Sequence, residues 1–555
     1  MHPIRTASLA MAALATACAQ PGGVSSPGIE DALASIRPEA IEAHIAFLAD
    51  DLLEGREAGT RGYDLGAKYV AASFQTMGLN PAGSDGTYFQ NVPLRSTRLS
   101  PSGSSVTLWR EGWTKTLRGG EDYIVSPSAT SEQSEIRAPL VFVGFGVTAP
   151  ELDYDDYAGI DAEGKIAVTL SGAPANFPSN QRAYYSGGAK TENAAAHGVV
   201  GILTILTPEY EKRMPWDKIS RFAGKARMRW LDGDGIPADA WPQIKGGGAL
   251  SRPIAEEVFS NGPVSLEEAF AAARSGNLKS FDLPLEAEIR TTSVHAELES
   301  PNVIAMLEGS DPELKNEYIV YSAHLDHDGL GEPIDGDGIW NGAYDNASGT
   351  AMVLEVARAF TNLPVPPKRS ILFLATTAEE KGLLGADYFA INPTVPKDAI
   401  VANLNMDGAL MVYPMKDLVI YGSEHSSLGE VFERAAARMK LELSPDPIPQ
   451  ETVFIRSDQF PFVRQGIPAA YAFVGLQTTD PDIDAEAAFW EWMATRYHTP
   501  KDDMSQKMHF ESGARYAGVN FLAGYLVAQD PERPAWNEGD FFGDKFGSKK
   551  KTASR

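Results

Sequence analysis

Cysteine is nearly missing from this chain: Cys18 is the only one in 555 residues. No disulfide can therefore form within the chain. Basic charge is scarce as well, with 48 Lys and Arg against 74 Asp and Glu, a formal net charge of −26. That balance argues against nucleic acid as a partner, because phosphate binding needs a basic face. The acidity otherwise serves solubility and identifies no substrate. Long apolar runs are also lacking. The Ala-rich stretch 7–17 is too short to span a bilayer as a helix. There is no repeat with a period of about 20–50 residues and no long low-complexity block. What is present, 43% hydrophobic and 22% charged residues, is ordinary for a soluble globular protein, and the length allows two or three domains.

The N-terminus has its own pattern. Arg5 precedes the apolar stretch 7–17, which ends at Cys18. A basic start, a short apolar core and small residues predict an export signal over 1–18. Ala15-Thr16-Ala17-Cys18 resembles a bacterial lipoprotein cleavage box, in which the cysteine is lipidated, although such boxes usually carry Leu where Ala15 stands. Ordinary signal peptidase cleavage after Ala17 or Ala19 is the alternative. The expectation is an exported, periplasmic protein, tethered to the membrane through Cys18 or otherwise secreted. Residues 19–36, rich in Gly, Ser, Pro and Ala, read as a tether.

Ile41, Ile45, Leu48 and Leu52 form a helical stripe and predict a helix over 40–53. Residues 56–66 read as a polar, Gly-rich loop. A second helix is predicted over 67–77, with Val70, Phe74 and Met77 on one face. From 95 to 294 the texture changes to short β-prone runs, at 106–109, 140–143 and 165–170, separated by Gly-, Pro- and Ser-rich turns. A helix over 190–200 and a strand over 201–206 belong to the same stretch. It reads as a β-rich domain inserted into the main one. Strand and helix patterns resume at 302 and alternate to 528, which predicts βαβ units and an α/β fold, a mixed, largely parallel sheet flanked by helices. The main domain is then discontinuous, 37–94 and 295–532, and 533–555 is expected to be a mobile tail.

The most informative feature is the pair Glu379-Glu380, just beyond the apolar run 371–375. Adjacent carboxylates at the end of a buried strand are expensive unless something cationic or reactive shares the site. Other ionisable residues occupy comparable places. His324 and Asp326 follow the apolar run 318–323, Asp407 follows 400–406, and Asp345 lies in a Gly- and Asn-rich turn before a helical stripe of Val353, Val356, Ala357 and Phe360. Ser348 is the expected cap of that helix. His498 lies far downstream. Open α/β sheets bind ligands at the carboxyl ends of their strands, so the common placement is itself a signal. Zinc takes His nitrogen and carboxylate oxygen, and two ions can share a bridging carboxylate. The economical assignment gives one ion His324 and Asp407 and the other Glu380 and His498, with Asp345 bridging. Asp326 would orient the His324 imidazole. Glu379 is left as general base for a metal-bridging water. Zinc suits the mixed His and carboxylate donors best, while manganese and cobalt also fit.

These motifs resemble the co-catalytic zinc aminopeptidase family, whose relatives include bacterial leucyl-type aminopeptidases, glutamate carboxypeptidases, glutaminyl cyclases and the transferrin receptor. The matching segments are Ala323-His324-Leu325-Asp326-His327, Asn341-Gly342-Ala343 with Asp345-Asn346-Ala347-Ser348-Gly349, Thr377-Ala378-Glu379-Glu380-Lys381-Gly382, Asn405-Met406-Asp407, and Tyr497-His498-Thr499-Pro500 with Asp502. Arg61-Gly62 and Tyr88-Phe89-Gln90 fit the family's N-terminal segment. The resemblance implies the zinc exopeptidase fold, two Zn2+ ions, and the roles already assigned to these residues. Through Gly164-Lys165-Ile166-Ala167-Val168 and 196–202 the insert resembles a protease-associated domain, which implies an influence on substrate access and makes His197 structural. In Arg456-Ser457-Asp458-Gln459 many relatives have His where Gln459 stands. Gln459, Asp458 and Arg456 are thus candidates for contact with substrate or a developing oxyanion, and Tyr471 reads as core.

The expected activity is that of a two-zinc aminopeptidase removing N-terminal residues from peptides. A carboxypeptidase or dipeptidase would use the same ions but grip a substrate carboxylate, for which Arg456 is the candidate. A binding module that kept the fold and lost the chemistry is the third reading, and the complete ligand set argues against it. No protein partner is evident.

Overall fold

The computed structural model describes residues 28–222 and 224–547. The export signal, Cys18 and residues 19–27 of the expected tether lie outside the described residues.

Seven longer strands form the body of the sheet that carries the ionisable cluster: β1 (Phe89–Leu99), β2 (Phe281–Leu307), β3 (Tyr318–His324), β4 (Ser370–Thr376), β5 (Ile400–Asn405), β6 (Asp417–Tyr421) and β7 (Ala469–Val474). Their order across the sheet is β1-β2-β4-β3-β5-β7-β6. The central strands β4, β3, β5 and β7 are mutually parallel. β2 runs antiparallel to β4, and β6 antiparallel to β7. The fold is therefore mixed α/β with a parallel centre.

Successive side chains of a strand point to opposite faces, and here both faces are covered. Ile319, Tyr321, Ile371 and Phe373 enter one core, against the helices α1 (Pro38–Leu48), α2 (Arg61–Thr76), α3 (Gly349–Thr361) and α5 (Phe510–Gln529). Val320, Leu372 and Leu374 enter a second core with Phe389 of α4 (Leu384–Ile391) and Phe462. Double coverage is the reason these strands read as unbroken apolar runs.

The tether expected over 19–36 ends early: Ile29–Ala34 is a helix, with Ile29 and Ala32 buried in the main core. Three further expectations differ from the structure. The loop expected at 56–66 is instead the start of α2, which begins at Arg61 where the Thr60 hydroxyl accepts the Tyr63 amide at 3.4 Å. Gly62 and Gly66 sit inside this helix. Gly62 is there for close approach, since a Cβ on it would lie 1.8 Å from the Leu53 carbonyl oxygen. Gly62→Ala is expected to destabilise the fold by about 1–3 kcal/mol through that backbone clash, read as a lower urea midpoint with unchanged slope.

The second difference is the insert. It holds more helix than the single one expected over 190–200, because strands Ile166–Leu170, Gly201–Ile205 and Gly246–Leu250 lie side by side and parallel. Parallel neighbours need crossovers, and helices Ser179–Ser186, Ala189–Ala196, Arg252–Phe259 and Leu266–Ser275 accompany them. The insert has its own core, including Leu140, Val168, Leu203, Val258 and Phe270. No break in the chain marks its end at 294. β2 pairs with insert strands Ser105–Arg110 and Gln133–Phe142 in its first half and with β1 and β4 in its second. One strand thus ties the two sheets together.

The third is the C-terminal stretch. Residues 533–547, expected to be mobile, are docked. Phe542 of helix α6 (Phe541–Phe546) is fully buried. The Trp536 indole donates to the Gly466 carbonyl at 3.0 Å, and the Phe541 and Phe546 rings pack on Tyr184 of the insert. Four aromatic residues in twelve supply the buried area that the polar, Lys-ended pattern concealed. Among the described residues no helix is long and apolar enough to cross a membrane.

Candidate metal centre

The ionisable residues converge at the carboxyl edge of the parallel strands. His324 is the last residue of β3, Glu379 and Glu380 follow the end of β4, and Asp407 follows the end of β5. Ala378, at φ 54°, sits in the left-handed region that non-glycine residues seldom occupy, and this turns the chain away from β4. The turn is held from below: the Asp326 carboxylate accepts the backbone amides of Glu379 at 3.0 Å and Glu380 at 3.3 Å. Asp326 was expected to orient the His324 ring with its carboxylate. Its backbone carbonyl faces His324 Nδ1 instead, at 3.1 Å. The carboxylate is taken up by two amides that a tight turn after a strand leaves without ladder partners.

Asp345 is fixed in the same way. Buried Asp502 accepts the amides of Tyr344 and Asp345, each at 3.0 Å, and the Gln506 side chain at 2.7 Å. Asn346, not Ser348, caps α3: its Oδ1 accepts the amides of Gly349 at 2.9 Å and Gly408 at 3.0 Å. The Ser348 hydroxyl donates to the Tyr344 carbonyl at 2.7 Å, which takes it away from the helix terminus. Ser457 donates to the Asp407 carboxylate at 2.5 Å, and the Tyr471 hydroxyl, read from sequence as core, donates to the Asp407 backbone carbonyl.

Asp345 stands between two imidazoles. Its Oδ1 is 3.2 Å from His324 Nε2 and its Oδ2 is 3.1 Å from His498 Nε2. His324 Nε2 is also 3.2 Å from Asp407 Oδ1, and His498 Nε2 is 3.7 Å from Glu380 Oε2. Ligand atoms of His324, Glu379 and Asp407 lie within 4.8 Å of one another, as do those of His324, Asp345 and Glu380. The donor chemistry fits a cation. A carbonyl can only accept, so Nδ1 of His324 carries a proton and Nε2 is the atom that faces two carboxylates, placed to give its lone pair to a cation between them. Acceptors facing acceptors in a buried site call for positive charge between them.

The electrostatics say the same. Burial lowers the His498 imidazole, but hydrogen bonds to Asp328 and Asp345 and the Glu380 charge override it and raise it to about 11. Burial, reinforced by Glu380, Asp407 and Asp458, pushes the Glu379 carboxyl well above its ordinary range, against the pull of His324. Two upward shifts in one cleft, of an imidazole and of a carboxyl, mark a site short of cations.

Sequence reasoning missed two neighbours. His327 Nδ1 meets Glu380 Oε1 at 2.8 Å, and Asp328 Oδ2 lies 3.5 Å from His498 Nδ1, behind the ring. Their signal was the density of ionisable residues in the run from His324 to Asp328. Three other candidates make no direct contact with the clustered ligand atoms. Arg456 is exposed and pairs with Glu451 at 3.2 Å. Gln459 is fully buried and saturated, donating to the Phe454 carbonyl at 2.6 Å and accepting from Asn405 at 2.9 Å. Asn405 also donates to Ser457 at 2.8 Å, so Gln459 reaches Asp407 only through others. Asp458 is buried, accepts the Thr376 hydroxyl, and has its carboxyl pushed up to about 7 by burial.

An α/β sheet with imidazoles and carboxylates gathered at its carboxyl edge is the architecture of a metal-dependent hydrolase. Residues 302–518 match Peptidase family M28. Over 274 residues the chain is 27% identical to "Probable leucine aminopeptidase 2" of Aspergillus fumigatus, covering 47% of this chain and 49% of that protein. Over 106 residues it is 40% identical to a "Probable zinc metalloprotease" of Pyrenophora teres f. teres, covering 19% of this chain and 22% of that one. The chain thus spans about half or less of the length of these curated relatives. The solved aminopeptidase from Aneurinibacillus sp. strain AM-1 shares the fold, with a TM-score of 0.52 at 20% identity over 91% of this chain and 97% of that one.

Proposed function

We propose that the chain is a zinc-dependent aminopeptidase that uses two ions. The observation that carries this reading is Asp345, whose two oxygens each meet a different imidazole, at 3.2 and 3.1 Å. His324 and Asp407 would hold one ion, His498 and Glu380 the other, with Asp345 shared between them. Bound zinc supplies Lewis-acid polarisation of a carbonyl and makes water a nucleophile near neutral pH. The chain supplies the proton traffic. Glu379, beside His324 and Asp407 and free of any assigned ion, takes the proton of the attacking water and delivers it to the departing amine nitrogen. The relatives named as a leucine aminopeptidase and a zinc metalloprotease support the same class.

The acid-rich centre favours a substrate ammonium over a carboxylate. The cations nearby are engaged: Lys381 pairs with Glu57 at 2.9 Å, and the Arg56 guanidinium is surrounded by backbone carbonyls. A carboxypeptidase would need one of them free. The insert, with its protease-associated-like segments, is given a role in substrate access, and the residue pattern of 1–18 supports export, with the enzyme tethered through Cys18 or otherwise secreted.

Zinc-loaded protein is expected to contain about two ions per chain and to hydrolyse leucine anilide. Prolonged chelation should abolish turnover, and added zinc should restore it. An active protein after verified metal removal, or a zinc-loaded protein inert on every free-amine substrate, would overturn the reading.

A further inference from the structure

The peptidase domain and the insert enclose a cavity of about 900 Å³. Its charged lining is Arg182, Glu209, Arg213, Arg274, Glu451 and Arg456, four arginines against two glutamates in a chain of net charge −26. Glu451 is divided between Arg213 of the insert and Arg456 of the peptidase domain, at 3.2 Å each. Arg182 and Arg274 form no ion pair among the described residues, and Arg182 makes only a 3.5 Å contact to the Ala175 carbonyl. The lining also includes apolar Phe145, Ala173, Met214 and Phe270.

The chain runs directly from this cavity to the residues that hold the reacting centre. Arg456 lines it, and the next residue, Ser457, donates to the Asp407 carboxylate at 2.5 Å. The two residues are consecutive, with Cα atoms about 3.8 Å apart. The two environments are opposite in charge: acids gather at the centre, guanidinium groups in the cavity. A short peptide in an aminopeptidase has the matching polarity, with its ammonium at the cut end and a carboxylate at the other. Guanidinium forks are suited to carboxylates because they can donate two parallel hydrogen bonds.

We propose that this cavity binds a carboxylate on the leaving portion of the substrate, with Arg182 and Arg274 as specificity-determining residues, so that short anionic peptides are preferred. The inference rests on the aminopeptidase reading for its polarity. The carboxylate has two sources, the free C-terminus or an Asp or Glu side chain near it.

The test compares a short Leu-Ala peptide series as free acid, as C-terminal amide, and as amide with a Glu near the end, on the zinc-loaded full chain. The free acid is expected to show a KM about five- to tenfold below the neutral amide, with similar kcat, as binding shared by ground and transition states requires. A Glu-bearing amide that matches the acid identifies an acidic side chain as sufficient; one that matches the neutral amide assigns the site to the terminal carboxylate. In Arg182→Gln/Arg274→Gln the acid-to-amide ratio should fall to about one, and 1 M salt should do the same to the wild type. Fluorescence anisotropy of labelled acid and amide peptides on the Glu379→Gln protein reads the preference without turnover. Equal binding of acid, neutral amide and Glu-bearing amide, or an unchanged ratio in the double variant, overturns the cavity assignment. An acid preference in binding with leucine anilide uncut leaves the cavity standing and sinks the aminopeptidase reading.

Discussion

Glu379→Ala is expected to lower turnover of leucine anilide by about 10²–10⁴-fold while zinc content stays at the wild-type level. The position of the side chain allows two roles, because its oxygens lie within 4.8 Å of ligand atoms of both His324 and Asp407. A ligand would take zinc with it when removed, whereas a proton carrier would not. Metal analysis of the variant therefore decides between them. The turn itself survives the truncation, since it is held through the Glu379 and Glu380 amides by Asp326 and not by the Glu379 side chain. Glu379→Gln makes the same comparison without a change of shape: the amide cannot accept and return a proton, so the loss should be as deep. Glu380→Ala is the control in the opposite sense and should reduce bound zinc. If Glu379→Ala keeps activity within a few fold of wild type, the proton role is wrong.

The ligand residues were legible because each stands at a place where sequence is locally informative. His324, Glu380 and Asp407 close unbroken apolar runs, and such runs are recognisable as doubly covered strands without knowledge of their neighbours. What holds those residues was not legible, because it depends on pairings remote in sequence. Asp326 was placed near His324 by spacing, yet its carboxylate reaches 53 positions down the chain to the Glu379 amide. Gln459 stood out because many relatives carry His there, but fold contacts 54 and 5 residues away saturate both ends of its amide. Glycine misled in one place. The Gly62 and Gly66 pair suggested a loop, whereas the helix needs Gly62 for contact with Leu53. The C-terminal tail misled for the converse reason: its charge and Gly content concealed aromatic residues that only a preformed surface, the Tyr184 and Phe454 rings, can bury. Local periodicity gives elements and their ends; it does not give the partners that saturate them.

Arg56→Ala is expected to lower folding stability by about 3–5 kcal/mol, read as a shift of the urea midpoint. Arg56 is completely buried behind the metal centre. Its guanidinium donates to the carbonyls of Leu325 at 2.9 Å, Asn341 at 2.6 Å and Gly342 at 3.0 Å, and also to that of Leu48. One side chain therefore ties α1, the end of β3 and the loop leading to Asp345. Burial lowers its pKa to about 10 while Asp326, Asp502, Asp345 and Glu380 oppose the fall, so the group stays cationic at neutral pH. Truncation takes a donor from four carbonyls, of which that of Gly342 keeps the Ala347 amide at 3.1 Å, at about 1–3 kcal/mol for each left unpaired that water cannot reach, and removes a fixed cation behind four carboxylates. Arg56→Lys separates charge from geometry. It keeps the cation, but a single ammonium on a flexible stem cannot address carbonyls spread around a planar fork, so it should recover only part of the loss. If Arg56→Lys matches wild type, charge alone is what the position supplies. If Arg56→Ala falls by less than about 1 kcal/mol, the carbonyl cage is not what holds the Asp345 loop in place.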